Sequence, residues 1–123
     1  MVPMPSPALI HRLVRLAGMI GRIPGPFTTP ESVVAAIGRK LSTGGWAHEK
    51  SLAPGLYAFT VLGTAIVVSP GDEQLGTVLE RVATLCANKA FEAVLVVTPN
   101  VRLVLPEEVG GKPVRRAFAE GGW

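Results

Sequence analysis

Cys86, His11 and His48 are the side chains best suited to nucleophilic or general-base chemistry, and their sequence settings limit what each can do. A thiol attacks only as the thiolate. Cys86 falls on an apolar stripe with Leu75, Val78, Leu79, Val82 and Leu85, which predicts a buried structural thiol. His11 sits among Arg12 and Arg15 and reads as part of a solvated helix face. His48 is the better base. It stands in Trp46-Ala47-His48-Glu49-Lys50, a Gly-flanked loop where polar and basic groups meet an aromatic ring. A small enzyme would have its site there, whereas the plainer reading is a surface loop whose Trp46 covers the core.

Other chemistry lacks its residues. Two distant histidines and one cysteine do not make metal-ligand spacing. Asp72-Glu73 and Glu107-Glu108 pair carboxylates on adjacent residues that point apart, and the first pair suits a helix N-terminus. A restriction-type nuclease needs an acid and a Glu-x-Lys on neighbouring strands, but Val94 stands where Glu92 would need its lysine. Ser69-Pro70-Gly71-Asp72 is a strand-to-helix turn of the kind that cradles phosphate. It has neither a Gly-x-Gly-x-x-Gly nor a Walker lysine, and its acids repel phosphate. No cofactor, no metal and no catalysis are expected.

The chain has 123 residues, enough for one domain. It is 48% hydrophobic and 17% charged, with mean hydropathy +0.39. That charged fraction is below the usual quarter or so, leaving a rather apolar surface that suits a homo-oligomer or a permanent protein partner. The net charge of +3 is uneven. Residues 1–50 hold six Lys/Arg against Glu31 and Glu49, and residues 51–123 hold six against seven acids. A single cysteine excludes an intramolecular disulfide framework and suits a reducing compartment such as the cytoplasm. Arg12 and Arg15 interrupt any secretory apolar core. An acid-free, Arg-bearing start fits a transit peptide, but Pro3, Pro5, Pro7 and the scarcity of hydroxyl residues weigh against one. The uncharged run Ser51 to Gly71 is long enough to span a bilayer. Pro54-Gly55, Gly63-Thr64 and its β-branched residues instead predict two strands around a turn.

The elements follow from periodicity and punctuation. After a Pro-rich lead over 1–7, a first helix over 8–22 carries Leu9, Leu13, Leu16, Ile20 and Ile23 as one stripe. His11, Arg15, Gly18 and Arg22 fall on another face, with Arg12 beside them. Thr28 and Glu31 have capping-box spacing for a second helix, whose apolar face is Val33, Val34, Ile37 and Leu41. Strands are expected at 56–62 and 65–69 around Gly63-Thr64, then a helix over 72–88, a central strand at 92–98 and a more exposed strand at 101–105. Gly110 to Trp123 reads as a tail. The order α-α-β-β-α-β-β plus tail predicts an α+β domain of two layers with a mixed sheet of about four strands. Its parts are an arm (1–26), a core (27–109) and the tail (110–123).

These features point to a small non-catalytic assembly or partner-binding module. The expected contacts are Leu9, Arg12, Leu13, Arg15, Leu16, Ile20 and Arg22 on the arm, and Arg115, Arg116, Phe118 and Trp123 on the tail. Nucleic acid is the alternative partner, since Arg12, Arg15, Arg22, Arg39 and Lys40 can line two helices before a hairpin. The helix they flank, with Val-Val-Ala-Ala-Ile, lacks base-reading side chains. A membrane surface is disfavoured, because the arm has no lysine and no anchoring Trp.

Overall fold

The computed structural model describes residues 6–123, so most of the expected proline lead lies outside the described residues. Ser6 opens α1 (Pro7–Gly21): its side chain accepts from Leu9 N at 3.1 Å, and Pro7 occupies the first turn, where its missing N–H costs nothing. Leu13, Leu16 and Ile20 are buried, and Leu9 and Ile23 pack against the same core. Helix α2 (Pro30–Thr43) starts one residue later than its capping spacing suggested. Thr29, not Thr28, is the cap. Its hydroxyl accepts from Ser32 N at 3.1 Å, and Ser32 Oγ accepts from Thr29 N at 3.3 Å. Pro30 explains the shift, because a residue before proline is pushed to extended backbone, and Thr29 has φ −139° and ψ 153°.

Six strands form one mixed sheet where about four were expected. β1 (Glu49–Lys50), β2 (Phe59–Val61) and β3 (Thr64–Val68) each run antiparallel to the next. After α3 (Leu75–Ala87), β4 (Ala93–Thr98) pairs parallel to β3. β5 (Glu108–Val109) and β6 (Lys112–Phe118) complete the order β1-β2-β3-β4-β6-β5, with β6 parallel to β4. β4 is central and buried along its whole length, as its unbroken apolar run predicted.

The class is α+β, with helices on both faces of the sheet. Ala93, Leu95 and Val97 face α1 and α2, whereas Val94 and Val96 face α3, so three layers replace the two expected. Two other expectations are corrected. No strand forms at 101–105; Asn100 turns the chain there, its Oδ1 accepting from Arg102 N at 3.0 Å. The neighbour of β4 is drawn instead from the expected tail, and residues of arm, core and tail share one hydrophobic cluster, so boundaries at 26 and 110 separate no structural units.

The β2–β3 turn also differs from the expected Gly63-Thr64. Thr64 is already in the sheet, paired with Val61 and with Ala93, so the turn residues are Leu62 (φ 48°) and Gly63 (φ 83°). Two positive φ angles define a type I′ turn, and the first is held by a leucine at a cost of about 1–2 kcal/mol. Leu62→Asn should stabilise the protein by about 0.5–1 kcal/mol, read as a higher urea midpoint. An unchanged or lower midpoint would contradict the assigned turn.

Candidate functional site

The residues expected to meet a partner are largely spent inside the chain. Leu13, Leu16, Ile20 and Trp123 belong to one buried cluster, against which Leu9 packs. Arg12 donates to the Leu62 carbonyl at 3.0 Å and lies 3.7 Å from Glu92, clipping α1 to the β2–β3 turn. Arg15 stacks over the Trp46 ring at 5.8 Å. Arg22 is exposed at the end of α1. Arg115 donates to the carbonyls of Glu107 and Val114, and Arg116 to those of Val101 and Leu103, so both tie down the chain around β6. Phe118 is 40% exposed. These residues do not gather on one surface. With Arg12 and Arg15 engaged, the two-helix basic face considered for nucleic acid is thinned to Arg22, Arg39 and Lys40.

Cys86 is buried, as its stripe predicted, and burial pushes its thiol above the ordinary value of 9.0 despite the opposing field of Lys112. It therefore stays protonated at neutral pH and is no nucleophile. Among the described residues no three His, Cys, Asp or Glu side chains are gathered as a metal site, and no helix is long and apolar enough to cross a membrane.

A cleft of about 800 Å³ lies between α2, the β1–β2 edge and the loop at Pro54. It exists because β2 is short. The chain joins the sheet only where Ala58 N donates to Ile66 O, and just before it Tyr57 N turns back to Ala53 O, so Val68 at the end of β3 has no β2 partner. Arg81, reaching across from α3, fills that role: its Nη2 donates to Val68 O at 3.1 Å. Its Nη1 is 2.5 Å from Glu73 Oε1, which also accepts from Ser69 Oγ at 3.0 Å. The guanidinium is thus fixed at one end of the cleft, with its Nε buried and unpartnered.

Apolar wall comes from Val34, Gly38, Tyr57, Phe59 and Val68. Gly38 is used for space: a Cβ there would stand 3.2 Å from Phe59 Cζ, tighter than a comfortable contact. His48 also lines the cleft. Its Nδ1 is 2.7 Å from the Trp46 carbonyl, and its ring meets Phe59 edge-on at 6.0 Å. Donation by Nδ1–H to that carbonyl orients the ring and leaves Nε2 as the acceptor. The charged part of the lining is mainly cationic: Arg39, Lys50 and Arg81 stand against Glu31, beside the neutral Ser42 and Thr43. The ion pairs among the described residues are Arg12–Glu92 and Arg81–Glu73, so Arg39 and Lys50 reach the rim without an acidic partner.

Sequence reasoning singled out His48 here, but not the cleft. Its one local signal was Gly38, a glycine inside an otherwise regular helix, where it costs about 1 kcal/mol relative to Ala and marks a close approach. The residues lining it from outside α2 come from β1, β2, β3, α3 and the loop before β2, and only the fold brings them together. No family model matches the chain, and no curated protein or solved structure matches it either.

Proposed function

We propose that the chain is a non-catalytic binding module whose contact site is the cleft beside α2. The observation that carries this reading is a preformed concavity of about 800 Å³, within the range of organic-ligand sites, with apolar walls and a few convergent polar groups. The arm and tail have by contrast little left to offer a partner, since their large apolar groups lie mostly in the core. Binding is tested by NMR with a fragment library of neutral, cationic and anionic compounds against the full chain and Ala35→Trp. Ala35 is an exposed position on the cleft side of α2, so a tryptophan there fills the cleft without entering the core. Saturable shifts should map to Val34, Gly38, Phe59 and Val68 and vanish in the variant. Hits that map elsewhere, or that survive in Ala35→Trp, would overturn the reading.

A second reading, a small enzyme acting through His48, draws on the oriented imidazole with Nε2 unclaimed in the same cleft. His48→Ala separates the two. A binding module keeps its fragment hits in that variant, changed only locally, whereas an enzyme loses turnover with its melting temperature unchanged.

A further inference from the structure

We infer that the occupant of the cleft is an amphipathic organic anion: an apolar chain or ring system bearing one carboxylate, sulfate or phosphate head. This deepens the proposed function and rests on the cleft being the contact site. Charge complementarity selects the head. Arg39 and Lys50 line the cleft with no carboxylate within ion-pair distance, whereas Arg81 is already paired with Glu73 and the one acid of the lining, Glu31, leaves the cations in excess. Two unpaired cations beside an apolar wall favour an acceptor that neutralises them. Strand alternation strengthens the bias, because Lys50 lines the cleft while its neighbour Glu49 is directed to the other face of β1.

The walls select the body. Val34, Tyr57, Ala58, Phe59 and Val68 offer carbon surface and no side-chain hydrogen-bonding group apart from the Tyr57 hydroxyl. A bare inorganic anion would leave that surface wet. A neutral hydrocarbon would leave the cations unanswered, and a cation would be repelled. Only a molecule with both parts matches both surfaces, and burying its carbon against the wall contributes roughly 25 cal/mol per Å².

The test uses the full chain and calorimetric titration with three probes: dodecanoate below its micelle concentration, dodecyltrimethylammonium with the same chain and the opposite charge, and sodium sulfate as head without chain. Dodecanoate should bind saturably, about tenfold or more tighter than the ammonium, and sulfate should not saturate. Arg39→Gln with Lys50→Gln should weaken dodecanoate about tenfold and erase the preference over the ammonium, with little change in melting temperature because both side chains are exposed. Ala35→Trp should abolish dodecanoate binding. If the ammonium binds as well as dodecanoate, and both are lost in Ala35→Trp, the anion assignment falls while the cleft stands. If dodecanoate binding is insensitive to Ala35→Trp, the cleft itself is refuted as the site.

Discussion

A chain that begins at Phe27 should not fold. The first helix is the part of the sequence that looks most detachable, being acid-free, basic and preceded by prolines, yet it carries three of the best-buried side chains in the protein. Leu13, Leu16 and Ile20 are each 1% exposed. They pack over β4 and β6, together with Ala117, Ala119 and Trp123. Removing α1 uncovers part of a sheet face whose inward residues are mostly apolar. Each large aliphatic withdrawn costs about 1.5–3 kcal/mol of burial, and the uncovered sheet adds more, against a typical domain stability of about 5–15 kcal/mol. Circular dichroism of the shortened chain should show no cooperative thermal transition. Leu16→Ala alone should cost about 2–5 kcal/mol. Val14→Asp on the same helix, at a position 54% exposed, should stay within about 0.5 kcal/mol of the parent. A shortened chain that melts cooperatively within a few degrees of the parent would show that α1 is an accessory arm after all.

That stripe was legible in the sequence; its destination was not. The spacing of Leu9, Leu13, Leu16, Ile20 and Ile23 demanded a surface to cover, but a helical wheel is equally satisfied by a partner and by the chain's own sheet. The sheet face was hidden because β6 was not recognised. Lys112-Pro-Val-Arg-Arg-Ala-Phe carries a proline and two adjacent arginines, each of which argues against an inner strand. Structure resolves the conflict locally. Pro113 sits opposite Glu108 of the two-residue β5, and Arg115 and Arg116 turn their guanidiniums back onto backbone carbonyls, leaving Val114 and Ala117 to face inward. Local signals of the other kind, a buried apolar β4 and a cysteine on an apolar stripe, depend on no distant partner and could be read directly. The cleft belongs with β6. Its lining comes from α2, α3 and three strands, and it opens only because β2 starts late, a fact of pairing that no single segment encodes.

The same logic makes the end of the described chain the second most sensitive place in the molecule. Gly121→Ala should cost about 3 kcal/mol or more. The segment after β6 runs beside Phe27: Phe27 N donates to Glu120 O at 2.9 Å, and Gly122 N donates to Phe27 O at 3.1 Å. Gly121 lies between those bonds at φ 150°, and a Cβ there would overlap the Phe27 carbonyl and come within 2.6 Å of its nitrogen. No side chain can retreat to make room, because the obstruction is backbone. The strain would propagate to Trp123, which is 7% exposed, donates from Nε1 to Ala119 O at 3.0 Å, and accepts from Gly71 N through its carbonyl at 2.9 Å. Trp123→Ala should therefore cost about 3–5 kcal/mol by cavity formation alone. An internal control comes from Gly76, near the start of α3, where an added Cβ meets nothing within 4 Å. Gly76→Ala should raise stability by about 0.5–1 kcal/mol, so one chemical change is expected to act with opposite signs at two positions. Urea midpoints of the three variants decide the matter. A Gly121→Ala midpoint equal to that of the parent would mean that the close approach of residues 27 and 121 is not part of the folded state, and the burial of Trp123 would then need another anchor.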